Sequence, residues 1–252
     1  MMFDGECIVV LIGVRSIMLE MSARLPGENN INFSYRVIRE GILSLELKPG
    51  QLLNVGELSE ALKVSSTPIK NALWKLQQEH LVDLIPQVGS YVSKIDLELV
   101  EEAAGMWFDL EKECLKSACH AFPVNNLHQL KRNLNFQEML LDQQSNFANP
   151  KEFIGEFCKL DEEFHSIIFD GLRRNTTWKA ILYMASDYHR LIMHKQVNDD
   201  VKQMVAEHRD IISVIEKRES EQVETVLRHH IFRPMDDWRT GHKTEISSFA
   251  LT

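Results

Sequence analysis

Apolar positions recur at helical spacing along most of the chain, with one short alternating run as the exception. Val37, Ile38, Ile42, Leu43 and Leu45 predict a helix over 33–45, stopped by the turn signal Lys48-Pro49-Gly50. Leu52, Leu53 and Val55 fit a short extended segment, and Glu57 to Leu62 a brief amphipathic helix. After a turn over Val64–Thr67, a third helix is expected from Pro68 to His80, with Ile69, Leu73 and Leu76 facing a core beside Ala72. Ser66 or Thr67 is expected to cap it, and Pro68 suits a first turn, where a missing N–H costs nothing. Residues Leu81 to Val92 then alternate around Gly89, which predicts a two-stranded hairpin with a short tip. Helix, helix-turn-helix and hairpin within about 60 residues make a winged helix-turn-helix layout over 33–93.

Beyond a connector at Lys94 to Leu97 the pattern is helical to the end. Six helices are expected: Leu97–Phe122, Asn125–Phe147, Lys151–Leu172, Thr176–Val197, Asp199–Arg218 and Ser220–Arg239. Antiparallel packing of the six gives a bundle over 97–240 whose interior can hold a ligand or cofactor. The fold class is therefore mainly α, a winged helix-turn-helix followed by a six-helix bundle. Residues 1–32 carry no clear pattern and are expected to form a poorly ordered extension, and 241–252 a tail. Met18 or Met21 would serve as an alternative start.

Composition sharpens this picture in three ways. A chain of 252 residues with 44% hydrophobic content can bury one large core or two modest ones. The net charge of −9 disfavours polyanion binding by the whole surface but not by one face. Segment 33–93 is neutral, with six Lys/Arg against six Asp/Glu, so tight DNA binding there would need dimerisation or a few well-placed cations. The four cysteines include no Cys-x-x-Cys pair and read as reduced, cytoplasmic thiols. The apolar run Cys7 to Val14 is too short to span a membrane and follows acidic residues, unlike a signal peptide.

Two groups of residues carry chemistry. Ser65, Ser66, Thr67 and Lys70 sit at the exposed N-terminal end of the third helix, where short hydroxyls and a cation suit phosphate and base-edge contacts. In the bundle, Asp161 and His165 lie four apart on one helix face, and His208 and His230 stand on two later helices. One carboxylate and three imidazoles suit a divalent ion: Zn²⁺, or Ni²⁺, Mn²⁺ or Fe²⁺ with open positions. His229 points about 100° away from His230 and cannot share that site. The stripe Phe153, Ile154, Phe157, Leu160, Phe164, Ile167, Ile168 reads as core packing.

Two blocks resemble known domains. The run Glu40 to Leu53, then Glu57 to Leu73, Glu79-His80-Leu81-Val82 and Pro86 to Val92 is similar to the DNA-binding domain of the GntR family of bacterial transcription regulators. Asp161-Glu162-Glu163-Phe164-His165, Glu207 to Ile212 and His230 resemble the FCD effector-binding domain of the FadR subfamily, and six rather than seven helices looks closer to its VanR-like branch. The resemblance implies a homodimer on a palindromic double-stranded operator. The bundle would bind a small molecule, often an organic acid, near a divalent metal held by Asp161, His165, His208 and His230. Two departures stand out. Ser66 replaces a common arginine, and Lys70-Asn71 replaces Arg-Glu, which alters base readout. Trp107 stands where the effector pocket often has an arginine, which favours a bulkier or more apolar ligand.

The resulting expectation is a ligand-responsive transcription regulator, a repressor by the commoner pattern, and not an enzyme. Lys48, Ser65, Ser66, Thr67, Lys70 and the wing residues Gln87, Gly89 and Ser90 would contact DNA, with Arg36 and Lys75 adding phosphate contacts. The alternatives are a metal-dependent enzyme built on the bundle, and a regulator that senses the metal itself.

Overall fold

The computed structural model describes residues 23–194 and 198–241. The expected disorder of the first 22 residues, the end of the fourth expected helix at 195–197 and the tail from 242 lie outside them. The chain divides into two compact units, one ending at Ile95 and the other starting at Asp96.

The first unit begins with α1 (Asn30–Leu43), three residues earlier than the apolar pattern indicates. The reason is capping: the Asn29 side chain accepts from the Asn32 N–H at 2.9 Å, and polar first-turn residues hide that start from a hydrophobic reading. Helix α2 (Val55–Leu62) is capped by Asn54, whose Oδ1 accepts from the N–H groups of Gly56 and Glu57. Lys63 ends it in the left-handed region at φ 52°. Helix α3 (Ser66–Gln78) follows after a tight turn. Its N-cap is Ser65 rather than Ser66 or Thr67, and Ser65 makes no side-chain capping bond. Pro68 is thus the third helical residue, still within the turn whose N–H groups have no intrahelical acceptor.

Strands β1 (Val82–Ile85) and β2 (Gly89–Val92) pair antiparallel, with Val82 opposite Val92 and Ile85 opposite Gly89. Leu52 bridges Tyr91, and the Leu53 N–H donates to Ser90 O at 2.7 Å, so the segment after the Pro49-Gly50 turn adds a short third edge to this wing. Gly50 sits at φ 77°, which the turn requires and other residues resist. The core beneath joins Val37, Ile38 and Ile42 of α1, Leu58 and Leu62 of α2, and Ile69, Leu73 and Leu76 of α3, all at most 2% exposed. It holds α3 by one face and leaves the other to solvent.

The second unit contains seven α-helices among the described residues: α4 (Leu97–His120), α5 (Val124–Asp142), α6 (Pro150–Gly171), α7 (Asn175–Met184), α8 (Ser186–His194), α9 (Asn198–Lys217) and α10 (Val223–Gly241). The expected count of six becomes seven because the stretch read as one helix over 176–197 breaks at Ala185. The helix count therefore gives no support to a VanR-like branch. No Gly or Pro marks the break, so apolar periodicity runs through it. Asp187 anchors the start of α8: its carboxylate accepts from the Asp96 N–H at 2.9 Å and binds the buried guanidinium of Arg190. Phe147, read as helical, lies beyond a 3-10 turn over Gln144–Asn146. Pro234 stands inside α10 and removes the N–H that the His230 carbonyl would accept. One residue on, the Tyr188 hydroxyl donates to Ile231 O at 2.9 Å.

Candidate metal centre and nucleic-acid interface

Packing in the second unit brings four distant side chains together. Asp161 and His165 project from the same face of α6, His208 from α9 and His230 from α10. One ligand atom from each lies within 4.8 Å of the others. The three imidazoles are buried, and Asp161 is partly so.

The orientation of each ring is fixed from behind. His165 Nδ1 donates to Glu111 on α4 at 2.6 Å, and the same carboxylate accepts from the Trp107 indole N–H. His208 Nδ1 donates to Gln137 Oε1 on α5 at 2.7 Å. That amide is oriented by Asn133, whose Oδ1 accepts from Gln137 Nε2 at 2.7 Å. His230 Nδ1 donates to Glu207 at 3.1 Å, and Arg233 holds the same carboxylate at 2.7 Å. With every Nδ1 carrying a proton outward, every Nε2 turns a lone pair inward.

That inward set is not self-satisfying. His165 Nε2 and His230 Nε2 stand 3.1 Å apart. Asp161 Oδ1 lies 3.3 Å from His208 Nε2, and both atoms are buried without a hydrogen-bond partner. With each Nδ1 proton held outward, these converging atoms form a pocket of acceptors that could hold a cation. Three nitrogens and one carboxylate oxygen are a donor set that fits Zn²⁺, Ni²⁺, Mn²⁺ or Fe²⁺, so the residues match the metal expected from the sequence.

Electrostatics divide the cluster: burial would lower the His165 pKa, but Glu111 and Asp161 outweigh it and raise it. Burial would raise the Asp161 pKa, but His208, His165 and His230 outweigh it and keep the carboxyl ionised far into acid. Burial brings His208 down to about 4, which keeps its imidazole neutral, the form that ligates. Burial opposes ionisation of Glu207 too, yet the bonds from His230 and Arg233 bring it to about 2.

The sequence alone did not reveal Gln137 or the role of Glu207. Glu207 had a signal, since it adjoins His208. Gln137 had none, because its contact with His208 spans 71 positions. His229 is 3.3 Å from Glu207 on the exposed side of α10 and stays out of the centre. Trp107 is buried beside the centre, its ring edge-on to His165 at 4.9 Å and packed against Trp178 and Tyr188. The position named for an effector pocket therefore forms part of an aromatic wall around the imidazoles.

In the first unit, the outer face of α3 presents Ser66, Thr67, Lys70, Asn71, Trp74, Lys75 and Gln78, and α3 contains no acidic residue. Lys75 leans toward α1, with Nζ 3.3 Å from Asn32 Oδ1 and 5.6 Å from the Tyr35 ring centre. Lys48 and Gln87 are exposed, while Gly89 and Ser90 are partly covered on the wing. Arg36 is different: it makes two 2.9 Å bonds to Glu28 and reaches Glu40. Its charge is paired inside the domain, so the expected phosphate contact there would compete with Glu28 and Glu40.

A family model described as "Bacterial regulatory proteins, gntR family" matches residues 30–92, and one described as "FCD domain" matches 106–233. The chain is 26% identical over 199 residues to the HTH-type transcriptional repressor RspR of Escherichia coli, covering 78% of this chain and 83% of that protein. It is 29% identical over 220 residues to an HTH-type transcriptional regulator in an unstable DNA locus of Streptomyces ambofaciens, covering 85% and 87%. Its fold is similar to that of McbR/YncC of E. coli (TM-score 0.67, 15% identity, 83% and 97% covered). It is equally similar to a GntR transcriptional regulator structure from Rhodococcus sp. RHA1 (TM-score 0.67, 14% identity, 84% and 98% covered). Among the described residues no helix is long and apolar enough to cross a membrane.

Proposed function

The chain belongs to the GntR family of DNA-binding transcription regulators and carries an FCD effector-binding domain, and from this premise we propose that it is a metal-dependent, ligand-responsive repressor. The observation that carries the metal is the inward convergence of three Nδ1-anchored imidazoles and an orphaned Asp161 oxygen. Asp161, His165, His208 and His230 hold the ion, and Glu111, Gln137 and Glu207 orient its ligands. A divalent ion there supplies a Lewis-acidic anchor for an oxygen of a small organic molecule. Trp107 stands beside the centre as an apolar group rather than a cation, which favours a ligand with an apolar body beside one anionic or carbonyl group.

On the DNA side, Ser65, Ser66 and Thr67 enter the groove, while Lys48, Lys70, Lys75 and the wing residues Gln87, Gly89 and Ser90 steady the domain on the backbone. The protein works as a cytoplasmic homodimer, which doubles a modest cationic footprint on a palindromic site. Ligand binding to one of two bundle arrangements shifts the population able to match both half-sites. A second reading has support in the burial of the three imidazoles behind Trp107 and Trp178: the metal itself acts as the signal.

Purified full-length protein tests these readings. It is expected to retard a duplex from its own genomic neighbourhood at low salt, and failure to do so removes the regulator reading. Small carboxylates and sugar acids are then screened for release of the duplex. Release by chelation with no organic ligand present assigns the signal to the metal.

A further inference from the structure

Of the three side chains on the outer face of α3 that the contact set above does not use, Asn71, Trp74 and Gln78, one is apolar. Trp74 is 58% exposed, while Ile69, Ala72, Leu73 and Leu76 on the opposite face are at most 1% exposed. The core therefore clamps α3 and aims Trp74 outward. Thr67 stands three and four residues before Lys70 and Asn71, and these stand four and three before Trp74, so the indole continues the stripe that begins at the helix N-terminus.

We propose that Trp74 is a specificity-determining residue of α3, its indole packing against thymine 5-methyl groups in the major groove. The inference rests on the DNA-binding reading and deepens it. Two features of the face select nucleic acid over a protein partner. First, α3 has no Asp or Glu from Ser66 to Gln78, and Lys70 lies one turn before Trp74, in a chain whose net charge is −9. This local charge complements phosphate. Second, Trp74 is the single large exposed apolar side chain among the described residues of α3, set among hydroxyls, an amide and cations. A protein interface clusters apolar anchors in a dry centre, and this face has one.

The groove floor supplies a matching surface. Thymine's methyl is the apolar group that base pairs expose in the major groove, and apolar side chains read it by contact. Asn71, exposed three residues before Trp74, carries the side chain that pairs bidentately with adenine N6 and N7. Ser66, at the tip, has no guanidinium to fork onto guanine. Together the three residues describe a helix that reads A·T pairs, with Trp74 contributing the thymine half.

The test starts from the full-length chain and a pool of random duplexes, from which bound sequences are selected. The selected site is remade with deoxyuridine for individual thymidines, which removes only the 5-methyl group. Wild-type protein is expected to bind at least one such duplex about 5-fold or more weakly. Trp74→Ala is expected to bind thymine and uracil versions equally and to select sites with relaxed preference at that position, and Trp74→Phe to keep part of the preference. If no uracil replacement weakens wild-type binding, the inference is overturned whatever the variants do. If Trp74→Ala keeps the wild-type site preference but loses self-association in sedimentation, the indole belongs to a contact between copies and the inference is equally overturned. If wild-type protein selects no sequence at all, the DNA-binding reading fails first and takes this inference with it.

Discussion

His165 Nε2 faces His230 Nε2 at 3.1 Å, although each ring gives its Nδ1 proton to a carboxylate behind it. Two lone pairs at that distance repel unless a cation or a shared proton lies between them. Asp161, His165, His208 and His230 could hold a divalent ion there. Stripping metal with a strong chelator is expected to lower the thermal midpoint of the bundle by about 5–10 °C. The estimate follows from about 2.7 kcal/mol of binding stabilisation at a hundredfold excess over Kd and about 2–4 °C per kcal/mol for a domain of this size. Differential scanning calorimetry with and without Zn²⁺, Ni²⁺ or Mn²⁺ makes the measurement, and an unchanged midpoint with every ion would sink the metal assignment.

The anchoring groups should matter almost as much as the ligands. Glu111→Gln replaces the carboxylate that holds His165 Nδ1, and Gln137→Leu leaves the His208 Nδ1 proton without an acceptor. Each is expected to weaken metal binding about 10–100-fold while leaving the four ligands in place. Competition titration against a metallochromic chelator reads this directly. Equal affinity in wild type and both variants would mean that the rings are held by packing alone, for instance by Phe164 stacked on His208 at 4.0 Å.

Acid should destabilise the metal-free protein in a defined window. The folded pKa of His208, about 4 because burial disfavours its cation, lies below the ordinary histidine value of 6.5. The unfolded chain therefore binds the proton first as pH falls. The contribution of His208 is unchanged above 6.5, declines from 6.5 toward 4, and by linkage falls by up to about 3 kcal/mol, while the raised pKa of His165 works in the opposite direction. The depressed pKa of Glu207, about 2, adds a further loss below pH 4.5. Denaturant melts of apo protein at pH 7 and pH 5 give the first slope. His208→Asn should flatten it, and a variant with the wild-type slope would remove His208 as its source.

Apolar periodicity made the helices and wing legible, because burial of one face leaves a sequence trace. The ligand quartet was legible only in part. Asp161 and His165 share a face by spacing, but His208 and His230 converge with them through bundle packing that no local pattern encodes. The break at Ala185 escaped because it carries no Gly or Pro, and its anchor, Asp187 on the Asp96 N–H, spans 91 positions. The pairing of Arg36 was not legible either. A surface arginine on α1 looks available until Glu28, eight residues earlier, is seen folded back onto it.

Salt dependence separates Lys70 from Arg36. Each phosphate neutralised by a side-chain cation contributes about −0.9 to the slope of log affinity against log salt. Lys70 is exposed on the outer face of α3, so Lys70→Ala should weaken binding to all sequences alike and make that slope shallower by about one per protomer. Arg36 is already paired with Glu28 and Glu40, and burial opposing those bonds does not stop them from raising its pKa further. Arg36→Ala should therefore leave the slope unchanged and act on the stability of the α1 end instead. Fluorescence anisotropy of a labelled duplex across about 50–300 mM salt, a roughly sixfold range chosen to expose counterion release, provides both slopes. A shallower slope for Arg36→Ala would show that the Glu28 pair opens on DNA and would return Arg36 to the contact set.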